Sequence, residues 1–425
     1  MIAALLAAYL LVLTAEYALK ALNLRHLKAV GHLVPEGFEG EVDAATLAKT
    51  SAYTFDKSRV ALVESAVESA IFLLFLFAGW LGVYDRWIGS LVASPIGGGV
   101  LFFVGLTLIQ SVLGIPFGAY DTFRIESRHG FNATTPGLWV ADLVKGLAVS
   151  AALIALVTAG ALGLVRWSPG AWWLWVWGFF VGVSVLMLFL SPYVIEPLFF
   201  RFQPVQKEGI EEEIRRLMDK AGLTVGRVFQ VDASRRSRHS NAYFTGIGRV
   251  KRVVLFDTLL DQMSPAEIVA VLAHEVGHWK RRHVIQRLGL TAGLALAGLY
   301  LAFRLVGWGG VPGLVGLDAA SLPAQAVILW LVAGIAGFFV TPFFSALSRR
   351  NEREADRFAC ELSGDPGALA SALIKLSREN LANLHPHPLY AAFYLSHPPV
   401  VERVRVLRAA RPQTPARSGA GAMIS

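Results

Sequence analysis

Seven stretches of the chain run for about 20 residues with scarcely a charge, the length an apolar helix needs to cross a bilayer core. They cover residues 1–22, 64–84, 98–118, 143–165, 172–196, 284–306 and 323–346. The fifth is the most apolar, and the tryptophans clustered near 172–177 read as an interfacial aromatic belt. The first has no basic leader. Glu16 and Tyr17 follow its apolar core where a cleavage site would need small residues, so it is expected to remain as a span. Two polar regions are long enough to fold. Residues 197–283 open with a helix-like stretch from Gly209 to Ala221 and continue with β-like runs at 227–231, 241–245 and 252–256. Residues 347–411 read as helical, and residues 412–425, rich in Pro, Ala, Gly and Ser, as a disordered tail. The pattern predicts a mainly α, polytopic membrane protein with seven transmembrane helices and a small α+β region. Its expected divisions are 1–196 (spans one to five), 197–283 (polar segment), 284–346 (spans six and seven), 347–411 (helical segment) and 412–425 (tail).

Composition agrees. Of 425 residues, 55% are hydrophobic and 16% charged, with a mean hydropathy of +0.52, too apolar for a soluble protein of this length. The Lys and Arg residues concentrate after spans one, three, five and seven, which predicts an outside N-terminus and a cytosolic C-terminus. The net charge of +8 follows those loops, and no nucleic-acid recognition motif accompanies it, so no nucleic-acid partner is expected. Cys360 is the only cysteine, which excludes an internal disulfide and a cysteine-based zinc site.

The chemistry lies at the head of span six. His274-Glu275-Val276-Gly277-His278 is an H-E-x-x-H motif at the end of a helical run. Residues four apart share a helix face, so the two imidazoles can hold one zinc ion while Glu275 serves as general base toward water. A catalytic zinc takes a third protein ligand and keeps one position open. A third histidine six residues on is excluded, because Arg281 and Val284 stand where that pattern wants Gly and His. His283 is one residue off and is not counted. The stretch Ser348 to Asp356 supplies acidic candidates instead. Glu352 and Asp356 share a face while Glu354 points elsewhere, so Glu352 is the expected ligand and Asp356 the acceptor behind a liganding histidine. Two other readings compete. A transporter or channel could use Glu64, Glu68 and Glu196, and an inactive scaffold would have lost Glu275 or a ligand.

Beyond the motif, the chain resembles the type I CAAX prenyl endopeptidases. The resemblance rests on His274 to His283 including Trp279, on Ser348-Arg349 with Glu352, Ala355, Asp356 and Phe358, and on His239 to Phe244 followed by Lys251 to Leu260. It also rests on Ile125 to Asn132 and on Ser396-His397-Pro398 with Arg403, so it spans roughly residues 50 to 405. It implies seven helices around a water-filled intramembrane chamber, with one Zn2+ facing it near the cytosolic side. It further implies an edge strand around Asn241 that pairs with an extended substrate, and substrate contacts from His397 and Arg403, with His397 stabilising the oxyanion. The expected reaction is zinc-dependent endoproteolysis of membrane-associated substrates, either CAAX-type C-terminal processing, as the resemblance implies, or turnover of membrane proteins. The expected partners are a peptide or protein substrate, prenylated or not, and the lipid bilayer. A monomer is expected, in a bacterial cytoplasmic membrane or, for a eukaryotic source, the endoplasmic reticulum. His385 and His387 have no role assigned.

Overall fold

The computed structural model describes residues 1–245 and 250–410; the expected tail, 412–425, lies outside the described residues. The chain begins with α1 (Ile2–Val30), then α2 (Ala44–Phe77), whose first turn is capped by the Asp43 side chain accepting from the Thr46 amide. Gly79, at φ +81°, breaks the apolar run, and a further helix, α3 (Trp80–Leu91), follows. The second span therefore ends at Phe77 and not at 84, because the sequence stays apolar through a turn that only the left-handed glycine marks. Next comes α4 (Pro95–Tyr120), which passes into a π-helical turn at Asp121–Glu126 and the short α5 (Ser127–His129). α6 (Pro136–Trp167) and α7 (Trp172–Leu190) complete the first half, and α7 also runs into a π-helical turn, Ser191–Ile195, before α8 (Glu196–Phe199).

The polar segment folds as β1 (Phe202–Pro204), α9 (Ile210–Lys220), β2 (Thr224–Val231), β3 (Ala242–Thr245) and β4 (Val250–Phe256). β1 was not anticipated; three residues are too few to show alternation. The strands lie in the order β1-β2-β4-β3, with β2 and β4 parallel and the outer pairs antiparallel. β3 pairs only with β4, so among the described residues its other edge is open. α10 (Asp257–Gln262), α11 (Pro265–Lys280) and α12 (His283–Trp308) follow, then α13 (Leu322–Ser363), α14 (Pro366–Glu379), α15 (Pro388–Tyr394) and α16 (Val400–Ala409). α13 is one unbroken helix of 42 residues, so the expected division at 346/347 falls inside it.

Among the described residues, seven helical stretches are long and apolar enough to cross a membrane: Ile2–Val30, Ala44–Phe77, Pro95–His129, Pro136–Trp167, Trp172–Phe199, His283–Trp308 and Leu322–Ser363. Each overlaps one expected span. A smaller buried cluster around Leu76, Leu81, Phe102, Ile328 and Leu331 joins the second, third and seventh of these to α3, but the larger apolar core is elsewhere. It lies where α9 and α11 pack on the sheet and α14 packs against α11, around Ile214, Met218, Val253, Leu255, Ile268 and Ile374. In six of the seven spans the most apolar window is at most 6% buried, so the side chains there face lipid or one another loosely.

Candidate metal centre

α11 is fixed at its start before it presents any chemistry. Ser264 and Glu267 form a reciprocal capping box at its start. Glu267 also accepts from Ser371 Oγ at 2.6 Å and pairs with Lys375 Nζ at 2.8 Å, tying the helix to α14. Along its length α11 packs against α13, and Gly277 sets the spacing. A Cβ there would stand 2.9 Å from Ala355 Cα, so only glycine lets the two backbones come this close. That approach brings Glu352 of α13 to the motif histidines.

Three ligand atoms converge. His274 Nε2 and His278 Nε2 are 3.2 Å apart, and each is 3.3 Å from a carboxylate oxygen of Glu352. The three residues form the one group of metal-ligand type found among the described residues, with donor atoms all within 4.8 Å. Glu352 Oε2 is buried and has no hydrogen bond despite its closeness to His274. Burying such an oxygen unpaired is costly, and two imidazole nitrogens plus a carboxylate aimed at one point are the donor set of a divalent cation. The residues present fit a metal ion.

Both ring nitrogens on the far side are engaged. His274 Nδ1 lies 2.8 Å from Asp356 Oδ1, and Asp356 is gripped by Arg403 through two hydrogen bonds of 2.8 and 2.6 Å. His278 Nδ1 lies 3.1 Å from His283 Nδ1, whose Nε2 in turn lies 3.4 Å from Glu354. Fixing Nδ1 leaves Nε2 as the free donor on each ring. Glu275 takes part in none of this: it has no hydrogen bond or ion pair among the described residues, and burial pushes its carboxyl above the usual range. A desolvated, unpaired carboxylate beside a cation site is suited to taking a proton.

The other expected residues stand at differing distances from this group. His397 Nε2 is 3.4 Å from Glu352 Oε1, and its side chain is 61% exposed, so it stands at the open side of the cluster. Arg349 donates to the Ala391 and Leu395 carbonyls and so fixes the chain that leads to His397. Arg403, expected at the substrate, is 10% exposed with its guanidinium on Asp356 and 3.9 Å from Glu352. Asn241 is exposed at the start of β3, its carbonyl accepting from the Phe256 amide. His385 and His387 are engaged elsewhere: the first donates to the Leu33 carbonyl, and the second caps α15 and packs edge-on against His26.

His283 and Glu354 were not foreseen as a pair. Five residues past His278, His283 would face away on a continuous helix. Arg282 adopts a left-handed conformation at φ +58°, ending α11 and swinging His283 back under His278. No sequence pattern marks a non-glycine residue for that turn.

Comparison with known proteins bears on the whole chain. Residues 23–201 match the family model described as CAAX prenyl protease N-terminal, five membrane helices, and residues 204–411 match Peptidase family M48. The CAAX prenyl protease 1 homolog of Arabidopsis thaliana is 33% identical over 407 residues, covering 91% of this chain and 93% of that protein. The uncharacterized metalloprotease YhfN of Bacillus subtilis is 28% identical, covering 88% and 89%. The crystal structure of Ste24p from S. mikatae superposes with a TM-score of 0.87 at 25% identity, covering 95% of this chain and 98% of that one.

Proposed function

The chain belongs to the CAAX prenyl proteases of peptidase family M48, multi-pass membrane metalloproteases, and on that premise we propose that His274, His278 and Glu352 hold a zinc ion and that Glu275 is the general base. The observation that carries this is the convergence of the two Nε2 atoms on Glu352, with both Nδ1 atoms occupied and Glu275 left unpaired beside them. When bound, zinc supplies Lewis acidity that polarises the scissile carbonyl and lowers the pKa of water at the site.

Glu275 takes the proton from the attacking water and returns it to the departing amine. His397 donates from Nε2 to the oxygen that becomes negative in the transition state. Asp356, held by Arg403, keeps the His274 ring in the tautomer that leaves Nε2 unprotonated. The substrate lies extended along the open edge of β3 at Asn241, where backbone pairing gives affinity without a fixed side-chain sequence. We place the site on the cytosolic side, as the basic loops indicate, with the loosely packed spans around a chamber through which the peptide arrives. We also propose the sequence divisions at 197, 284 and 347 as functional segments, α13 bridging the last two, and a monomeric enzyme.

The substrate class we propose is the isoprenylated C-terminal CAAX-type peptide of a membrane-associated protein. The experiment compares cleavage of a prenylated CAAX peptide and its unprenylated form by purified enzyme, with and without a zinc chelator. The prenylated peptide should be preferred and the chelator should stop both; equal rates would redirect the assignment to general turnover of membrane polypeptides. Glu275→Gln should keep its zinc and lose about 10²–10⁴-fold in rate. Undiminished cleavage by that variant would sink the mechanism.

A further inference from the structure

Two membrane helices end in π-helical turns that each present a carboxylate to the segment around β3. At the end of the third span, Glu126 closes the turn Asp121–Glu126. Its Oε2 is 3.3 Å from His239 Nε2, while its Oε1 accepts from Tyr53 at 2.7 Å and from Lys57 at 3.0 Å. At the end of the fifth span, Glu196 directly follows the turn Ser191–Ile195, and its Oε2 accepts from Tyr243 Oη at 2.7 Å. His239 stands three residues before β3 and Tyr243 within it. The strand is therefore held from two sides by carboxylates that belong to the membrane half. π-helical turns re-aim the last side chains of a helix, and they recur at functional sites.

The polar segment is knitted to the third span by more than one bond. His239 stacks on Phe131 with ring centroids 4.1 Å apart. Asn132 and Ser237 form an antiparallel bridge, and the Arg238 amide donates to the Phe131 carbonyl. Phe131 is buried between His239 and Tyr53, and a cavity of about 490 Å3 opens in the same seam, lined by His129, Phe131, Arg238, Gln262 and Arg378. The alignment of β3 with the membrane half rests on named polar groups.

We propose that Glu126 with His239, and Glu196 with Tyr243, are positioning pairs that set the substrate-pairing edge of β3 relative to the metal centre. This rests on the reading of β3 as the substrate-pairing strand. Both ring nitrogens of His239 face oxygen acceptors, Glu126 Oε2 and, at 3.1 Å from Nδ1, Asn380 Oδ1. Only the imidazolium can donate to both. The groups facing His239 are Glu126 from the third span, Lys57 from α2 behind it, Asn380 at the end of α14 and the uncharged ring of Phe131. The Glu126 hydrogen bond holds the imidazole above its ordinary value, against burial and Lys57. A group raised on folding makes its full contribution below its unfolded value and loses it as pH climbs through the folded one. The Glu126 pair therefore weakens toward alkaline pH.

The test uses full-length, zinc-loaded enzyme in detergent and a fluorogenic peptide substrate, with kcat, KM and zinc content measured for Glu126→Gln, His239→Ala, Glu196→Gln and Tyr243→Phe. KM should rise about tenfold for the Glu126 and His239 variants, the size of one lost charge-assisted hydrogen bond, and less for the other two. Zinc content should stay at one per chain, with kcat close to the parent's. Each pair's double variant should be no worse than its worse single, as coupled partners require, and the rise in KM at constant kcat and zinc content is what a merely structural loss would not produce. KM of the parent should climb with pH above the His239 range, while that of His239→Ala stays flatter. Tyr243→Phe removes a single oxygen, so it keeps the test open even where a Glu126 variant does not fold. Unchanged KM in every folded variant, or a fall in kcat with loss of zinc, overturns the proposal. A substrate with N-methylated backbone amides separates the two readings. If N-methylation leaves the parent's KM unchanged, the strand-pairing reading itself fails. If it raises KM and the four variants do not, only the positioning pairs fail.

Discussion

The two histidines of α11 stand on different footings. Behind His274 is a carboxylate, Asp356, locked by a two-pronged arginine at 2.8 and 2.6 Å. Behind His278 is another histidine, His283, whose own support from Glu354 is longer, at 3.4 Å. The first footing is a charged chain through α13 and α16. The second is mostly neutral, and Glu354 divides its attention with Arg350 at 3.0 Å. A carboxylate behind an imidazole raises the basicity of the nitrogen facing the metal, whereas a second imidazole chiefly holds orientation. On the zinc reading, Asp356 tunes His274 and His283 aims His278.

Asp356→Asn tests the tuned side and should have the larger effect. It keeps the shape and removes the charge, leaving the buried Arg403 with the more distant Glu352, at 3.9 Å, as its anionic neighbour. We expect zinc affinity to fall by up to about 100-fold, read by competition with a chelator. A loss no larger than that of the His283 variant would erase the distinction.

Gly277→Ala attacks what both footings share. The added methyl meets the α13 backbone at Ala355, which cannot give way as a flexible side chain could. The helices must separate, and Glu352 moves with α13. A cost of about 1–3 kcal/mol in thermal stability is expected, together with weakened zinc binding. Full stability with full zinc content would mean that the spacing is not limiting.

His283→Gln tests the aimed side and should cost about tenfold in zinc affinity, the low end of what such supports contribute. The rate per bound zinc should stay near the parent's, since Glu275 and His397 are untouched.

The same contrast explains how far the sequence could be read. His274, Glu275 and His278 follow from i, i+4 spacing, and Glu352 with Asp356 follows from the same rule on α13, so every contact that runs along a regular helix was legible. His283 was not, because its place depends on the left-handed turn at Arg282. The break at Ala78 and Gly79 was hidden by continuous apolar composition, and the start of α2 at Ala44 by the polar residues that precede the apolar part of that helix. Glu196 reads only as a charge at a span end and Glu126 only as part of the Ile125–Asn132 resemblance, and the pairing of neither is visible, since π-helical turns leave no periodic mark. What periodicity encodes was visible, and what turns and tertiary pairing encode was not.

The smallest effect lies farthest from the metal, at the start of the helix that both footings share. Glu267 closes the capping box of α11 and pairs with Lys375 on α14. Burial pushes its carboxyl up, but Lys375, Ser371 and Ser264 more than offset this and hold it below its ordinary value of 4.5. A depressed carboxyl contributes its stability above the unfolded value and loses it as pH falls through the folded one. Glu267→Gln should therefore cost about 1 kcal/mol near neutral pH, a difference that shrinks in the acid range below 4.5. Thermal unfolding of parent and variant from pH 7 down to about 3 measures it. Because Glu267 touches neither histidine nor its support, zinc affinity should fall no more than stability does. A larger loss of zinc than of stability would show that the footings depend on the cap, and that the two sides of the site are not separable.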